Sequence, residues 1–139
     1  MAAYDNDNIF AKILRGDMPC HKVYEDTETF AFMDIMPRGE GHCLVIPKAA
    51  ARNILDVEAN DLASVIATTQ RLSKAVVKAF DADGVTIHQF NEPAGGQLVY
   101  HLHFHIIPRF EGIKLKPHSG DMEDPEILKA NAEKIRQAL

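Results

Sequence analysis

His101-Leu102-His103-Phe104-His105-Ile106-Ile107-Pro108-Arg109 sets three of the chain's seven histidines at every second position. An extended backbone turns successive side chains to opposite faces, so His101, His103 and His105 share one face while Leu102, Phe104 and Ile106 point into a core. Neighbouring imidazoles on such a face lie roughly 6–7 Å apart. A helix would scatter the same residues around its circumference, and the β-branched and aromatic content from Leu98 to Ile107 predicts a strand. A lone strand histidine is usually structural. Three in alternation gather groups that donate and accept protons near pH 7, which suits metal ligation or proton and group transfer.

A chain of 139 residues is long enough for one well-buried core and too short for two ordinary domains, which predicts a single domain over 1–139. Its 46% hydrophobic and 25% charged residues are those of an average soluble globule. No apolar run approaches the roughly 20 residues that span a bilayer, so no membrane partner is expected. The start Met1-Ala-Ala-Tyr-Asp-Asn-Asp-Asn lacks the basic and apolar segments of a secretory signal, which places the chain in the cytoplasm. Cys20 and Cys43 are then expected as free thiols. A net charge of −5 without any basic block excludes polymeric nucleic acid as a partner. A mononucleotide needs only a few placed donors and stays open.

The first seven residues are polar and expected to fray. Ile9, Phe10, Ile13 and Leu14 recur at helical spacing, and Gly16 stands where a helix C-cap tolerates positive φ. Val23–Glu25 and Thr29–Met33 read as a hairpin across Asp26-Thr27-Glu28, and His42–Ile46 as a third strand ended by Pro47. From Asn60 to about Phe80, Leu62, Val65, Ile66, Thr69, Leu72 and Val76 form the inner stripe of a long amphipathic helix, with Thr68, Arg71, Lys74 and Lys78 outward. Gly84–Phe90 is a fourth strand, and a Gly-rich loop leads from it into the histidines. Arg38, Lys48 and Arg52 read as solvated surface charges. After a polar segment over 110–121, Asp124 is the N-cap and Pro125 the first residue of a final helix.

His-x-His-x-His followed by two apolar residues, with x also apolar, resembles the signature of the histidine triad family of nucleotide hydrolases and transferases. The likeness extends in order through Asn8-Ile9-Phe10-Ala11-Lys12-Ile13, Arg15-Gly16-Asp17-Met18-Pro19, Ala31-Phe32-Met33-Asp34-Ile35, Gly41-His42-Cys43-Leu44-Val45-Ile46-Pro47-Lys48 and Gly95-Gly96-Gln97. It covers roughly residues 8–110, leaving 111–139 as a tail and helix. The resemblance implies an α+β fold, an antiparallel sheet of about five strands with one long and one short N-terminal helix, dimerised into a ten-stranded sheet.

It also implies roles. His103 would be the nucleophile, flanked by His101 and His105, with His42 a neighbour of the triad. Ile9, Phe10, Ile13 and Phe32 would line the base pocket; Asp34 would accept both ribose hydroxyls, with Ile35 beside the sugar. Asn91, Gly96 and Gln97 would face the phosphate. The substrate would be a purine nucleotide of the AMP type, as a phosphoramidate, an adenylate or a dinucleoside polyphosphate.

The sequence departs from the family pattern twice. Zinc-binding members carry Cys-x-x-Cys at the start of the first helix, where this chain has Asn8 and Ala11; His42 and His101 remain at positions that would complete the site. Two imidazoles without thiolates hold zinc weakly, so no metal and no cofactor is expected. Many members also place a hydroxyl where this chain has Leu98, which removes a donor near the leaving group. A metal-dependent hydrolase built on His-x-His would need a further ligand, and the sequence shows none. A catalytically weak nucleotide-binding or scaffolding protein is the alternative reading.

Overall fold

The computed structural model describes residues 1–117 and 120–139. The elements run α1 (Ile9–Arg15), β1 (Lys22–Glu25), β2 (Thr29–Met33), β3 (Cys43–Pro47), α2 (Ala59–Phe80), β4 (Gly84–His88), β5 (Phe104–Arg109) and α3 (Pro125–Ala138). The five strands form one sheet in the order β1-β2-β3-β5-β4, and each neighbouring pair is antiparallel. Two residues of the polar segment over 110–121, 118 and 119, lie outside the described residues. No described helix is long and apolar enough to cross a membrane.

Strand alternation sorts the core into two layers. Ala31 and Met33 of β2, Cys43 and Val45 of β3, and Phe104 and Ile106 of β5 pack with Val65, Leu72 and Val76 of α2 and Leu128, Ala132 and Ile135 of α3. On the opposite face Phe30, Phe32, Leu44 and Ile46 form a second cluster with Phe10 of α1. Two residues of α2 depart from the expected stripe. Thr68, expected outward, is buried and shares a 2.8 Å hydroxyl contact with Thr29, whereas Ile66, expected inward, is exposed.

Both outer helices begin as the sequence dictates. Asn8 caps α1 by accepting from the Ala11 amide at 2.9 Å, and Gly16 ends it at φ 81°. Asp124 caps α3 through the Glu126 amide at 2.8 Å. Gly41 is demanded by packing: at φ 82°, a Cβ there would sit 2.6 Å from the Phe80 ring. That close approach seats the entry to β3, and with it His42, against the end of α2.

The histidine strand is shorter at its start than predicted. Leu98–His103 is irregular, and the ladder begins at Phe104, paired with Val45. The reason lies across the sheet. Continuing the register would set Leu102 opposite Pro47, which has no N–H to give. Leu102 instead donates to the Ala51 carbonyl at 2.9 Å. The alternation survives the loss of pairing, because Leu102 is buried in the helix-covered layer while His103 and His105 line a cleft on the other face.

Candidate active site

The cleft has about 220 Å³ of free volume between α1 and the sheet. Helix α1 supplies Ile9, Phe10 and Ile13; β2 and the turn after it supply Phe32, Asp34 and Ile35; Gly96, His103 and His105 close the far side. Phe10 meets the His103 ring edge to face, centroids 4.9 Å apart at 90°, so the helix restrains that imidazole. His103 and His105 lie 5.0 Å apart between centroids.

Hydrogen-bond partners assign each ring its proton. His103 Nδ1 lies 2.6 Å from the His101 carbonyl. A carbonyl only accepts, so Nδ1 carries the proton and Nε2 keeps its lone pair. His42 Nδ1 accepts from the Arg38 amide at 3.0 Å, which puts the His42 proton on Nε2, 2.9 Å from His105 Nδ1. His105 therefore receives at Nδ1 and carries its proton on Nε2. The two cleft imidazoles are thus set oppositely, His103 as an electron-pair donor and His105 as a proton donor.

Burial pushes the pKa of His103 down, opposed by its bond to the His101 carbonyl, so the ring stays neutral at pH 7. Asp34 sits behind His105: its Oδ1 accepts from the Met36 amide at 2.9 Å, and its Oδ2 lies 3.4 Å from His42 Nε2. Desolvation pushes the Asp34 carboxyl up to about 6 against the pull of that amide.

A family model described as the HIT domain matches residues 15–112. The chain belongs to the histidine triad (HIT) family. A crystal structure of a HIT-like protein from Bartonella henselae, described as involved in cell-cycle regulation, superposes with a TM-score of 0.95 at 57% identity, covering 99% of this chain and 100% of that one. The adenosine 5′-monophosphoramidase hnt1 of Schizosaccharomyces pombe is 40% identical over 101 residues, 73% of each chain. The adenylylsulfatase HINT3 of Arabidopsis thaliana is 38% identical over 106 residues, 76% of this chain and 54% of that longer protein.

Several members of the expected HIT site sit elsewhere. His101 does not line the cleft. It is fully buried, with Nε2 on the Pro47 carbonyl at 2.8 Å and Nδ1 on the Tyr4 hydroxyl at 2.6 Å. The Tyr4 contact corrects the expectation that the first seven residues fray. Gln97 and Asn91 turn into their own loop rather than toward the cleft: Gln97 donates to the Arg52 and Val99 carbonyls and accepts from Glu92 and Asn53, while Asn91 accepts from the Ile54 amide and pairs with Gln89. Gln97 thereby spends both side-chain hydrogens and its oxygen inside the loop, whereas Asn91 spends its oxygen and one of its two hydrogens.

Two arginines expected in solvent are placed by the fold. Arg52 is buried, paired with both Glu92 oxygens at 2.8 and 3.1 Å and stacked 4.1 Å over Tyr100. Arg38 lines the cleft, its Nε bonded to the Lys116 carbonyl at 2.9 Å. Phe90, Val99, Met18 and Met36 also line it and were missed, since isolated apolar residues in loops carry no periodic signal.

The zinc of thiolate-bearing members does not fit here. Asn8 spends its Oδ1 on the helix cap, Ala11 offers a buried methyl, and both nitrogens of His101 are engaged. His42 and His101 do not converge either, because His42 faces His105 and Asp34. Those three residues bring their donor atoms within 4.8 Å of one another, supplying the carboxylate the sequence did not reveal. Their hydrogen bonding is that of a proton chain. A ligating imidazole donates its outer N–H away from the ion, whereas the outer nitrogen of His42 faces an N–H donor and its proton lies inside the cluster.

Proposed function

We propose that the chain is a nucleotide hydrolase working at the α-phosphorus of nucleoside 5′-phosphoramidates, adenylates or dinucleoside polyphosphates, through a nucleotidyl-histidine at His103. The observation that carries this reading is the 2.6 Å bond from His103 Nδ1 to the His101 carbonyl, which leaves the Nε2 lone pair on the cleft. Neutral imidazole attacks phosphorus without prior deprotonation. Nε2 forms the P–N bond as the bond to the leaving group breaks, and the leaving group takes its proton from water while His105 Nε2–H stays hydrogen-bonded at the phosphate. Water then attacks phosphorus, the P–N bond breaks, and a nucleoside monophosphate leaves.

The purine lies among Ile9, Phe10, Ile13 and Phe32, a lining that is apolar and contributes burial rather than edge readout. The ionised Asp34 accepts the ribose hydroxyls, with Ile35 against the sugar. His105 and the Gly96 amide take up charge on the non-bridging oxygens. Asn91 and Gln97 act through the loop they brace. Among the described residues Arg38 is the one cation lining the cleft, and Leu98 stands exposed at its mouth, so a small or apolar leaving group suits the site better than a polyphosphate.

A second copy of the chain completes the assembly. Among the described residues no strand lies beside the outer edge of β4, and Val85 and Ile87 are 36% and 41% exposed on that strand, with Ile66 exposed on α2. The two free thiols suit a reducing cytoplasm.

Hydrolysis of adenosine 5′-phosphoramidate and of a diadenosine polyphosphate, with and without EDTA, tests the reading. Turnover that survives chelator and falls at least about 10³-fold in His103→Ala supports covalent histidine catalysis. Tight AMP binding with no turnover on either compound overturns it in favour of a nucleotide-binding module, the reading that Leu98 in place of a hydroxyl favours.

A further inference from the structure

We infer that Tyr4, in the N-terminal segment ahead of α1, is a positioning residue for the nucleophile, acting through His101; this rests on the role proposed for His103. The carbonyl that orients His103 belongs to a residue with no place in the sheet. The β3–β5 ladder starts at Phe104, so nothing in the strand pairing fixes the backbone at His101. What fixes it is the His101 side chain, held at both ends.

On one side Nε2 meets the Pro47 carbonyl at 2.8 Å, which makes Nε2 the donor and leaves Nδ1 a bare acceptor in a fully buried ring. A buried acceptor without a donor is costly. The Tyr4 hydroxyl supplies the donor at 2.6 Å, and its ring packs edge-on against the imidazole, centroids 5.6 Å apart. Tyr4, His101 and Pro47 therefore form one line of hydrogen bonds. The His101 carbonyl hangs from its middle, 2.6 Å from His103 Nδ1. Among the described residues, the other direct hold near this carbonyl is the Leu102 amide on Ala51.

Tyr4 is itself seated. Asp5 starts the turn into α1, accepting from the Asn8 amide at 3.3 Å and from the Asn8 side chain at 2.7 Å, and the Arg15 guanidinium reaches back to the Asn6 carbonyl at 2.7 Å. The segment is thereby folded over the buried end of the triad. In this chain a tyrosine hydroxyl takes the remaining ring nitrogen of His101 and ties the N-terminal segment to the active strand.

The test is Tyr4→Phe in the full chain, which deletes the hydroxyl and keeps the ring. With adenosine 5′-phosphoramidate, kcat is expected to fall about tenfold while KM and AMP affinity stay within about twofold, because the cleft lining is untouched and only the nucleophile's support is loosened. Histidine side-chain nitrogen NMR should show the His101 Nδ1 resonance move. A kcat within about twofold of wild type overturns the proposal. So does loss of AMP affinity in parallel with kcat, which marks Tyr4 as a general fold contact. If wild type turns over neither substrate, the reading of function has failed, and the NMR arm decides separately: an unmoved His101 Nδ1 resonance removes the hydrogen-bond line, and a moved one establishes it.

Discussion

His101 and His105 flank His103 at the same spacing and live in opposite surroundings. His101 is sealed: both ring nitrogens are taken, by a tyrosine hydroxyl and a proline carbonyl, and burial pushes its pKa down to about 4. His105 opens on the cleft, receives a proton-bearing nitrogen from His42, and turns its own N–H outward. The first residue is closed off and the last faces the cleft. A row of identical side chains is thus divided into different hydrogen-bonding states by what each ring nitrogen meets, since neutral imidazole is donor at one nitrogen and acceptor at the other.

The largest effect that separates the two ends is on stability. His101→Ala removes a fully buried ring and strands the Pro47 carbonyl and the Tyr4 hydroxyl, at an expected cost of about 3 kcal/mol by urea unfolding. A loss under about 1 kcal/mol would mean the sealed end is not structural. His105→Ala should do the reverse, lowering kcat about 10²-fold, or about 2.7 kcal/mol of transition-state stabilisation, with little change in unfolding free energy. Equal effects of the two variants on both readouts would break the comparison.

Titration sharpens it further. His101 has a folded pKa below its ordinary 6.5, so its contribution is present above that value and is lost as pH falls through about 4. Asp34 runs the other way: its folded value of about 6 exceeds the ordinary 3.8, so its contribution is present below 3.8 and is lost as pH rises through about 6. The two oppose each other between about pH 4 and 6. Asp34→Asn removes the offset, and its unfolding free energy, followed from pH 7 to pH 4, should drop by about 2 kcal/mol more than that of wild type. Parallel curves would count against the buried carboxyl. The smallest effect is on binding: Asp34→Asn should raise KM about tenfold, roughly 1.4 kcal/mol, by weakening an acceptor for the ribose hydroxyls, with kcat less affected.

Much of the fold was legible in the chain. Gly16 marks the end of α1, Asp124-Pro125 starts α3, and Thr29–Met33 is read to the residue, because caps and strand alternation are local rules. The start of β5 was not legible, since it depends on a missing N–H in another strand. Arg38, Arg52 and Tyr4 were read as surface or frayed residues for the same reason: a charge or a hydroxyl in a polar stretch shows nothing of the buried partner waiting for it. Asn91 and Gln97 were placed by resemblance, and the structure spends them on the loop.

The sequence by itself determined the family, the α+β architecture and the face that carries the histidines, because periodicity and motif order survive without knowledge of distant contacts. The tertiary structure decided which nitrogen of each histidine holds the proton. That depends on partners 2, 54, 63 and 97 residues away along the chain, the His101 carbonyl, the Pro47 carbonyl, His42 and Tyr4, and hydrogen-bond polarity is fixed only where those groups meet.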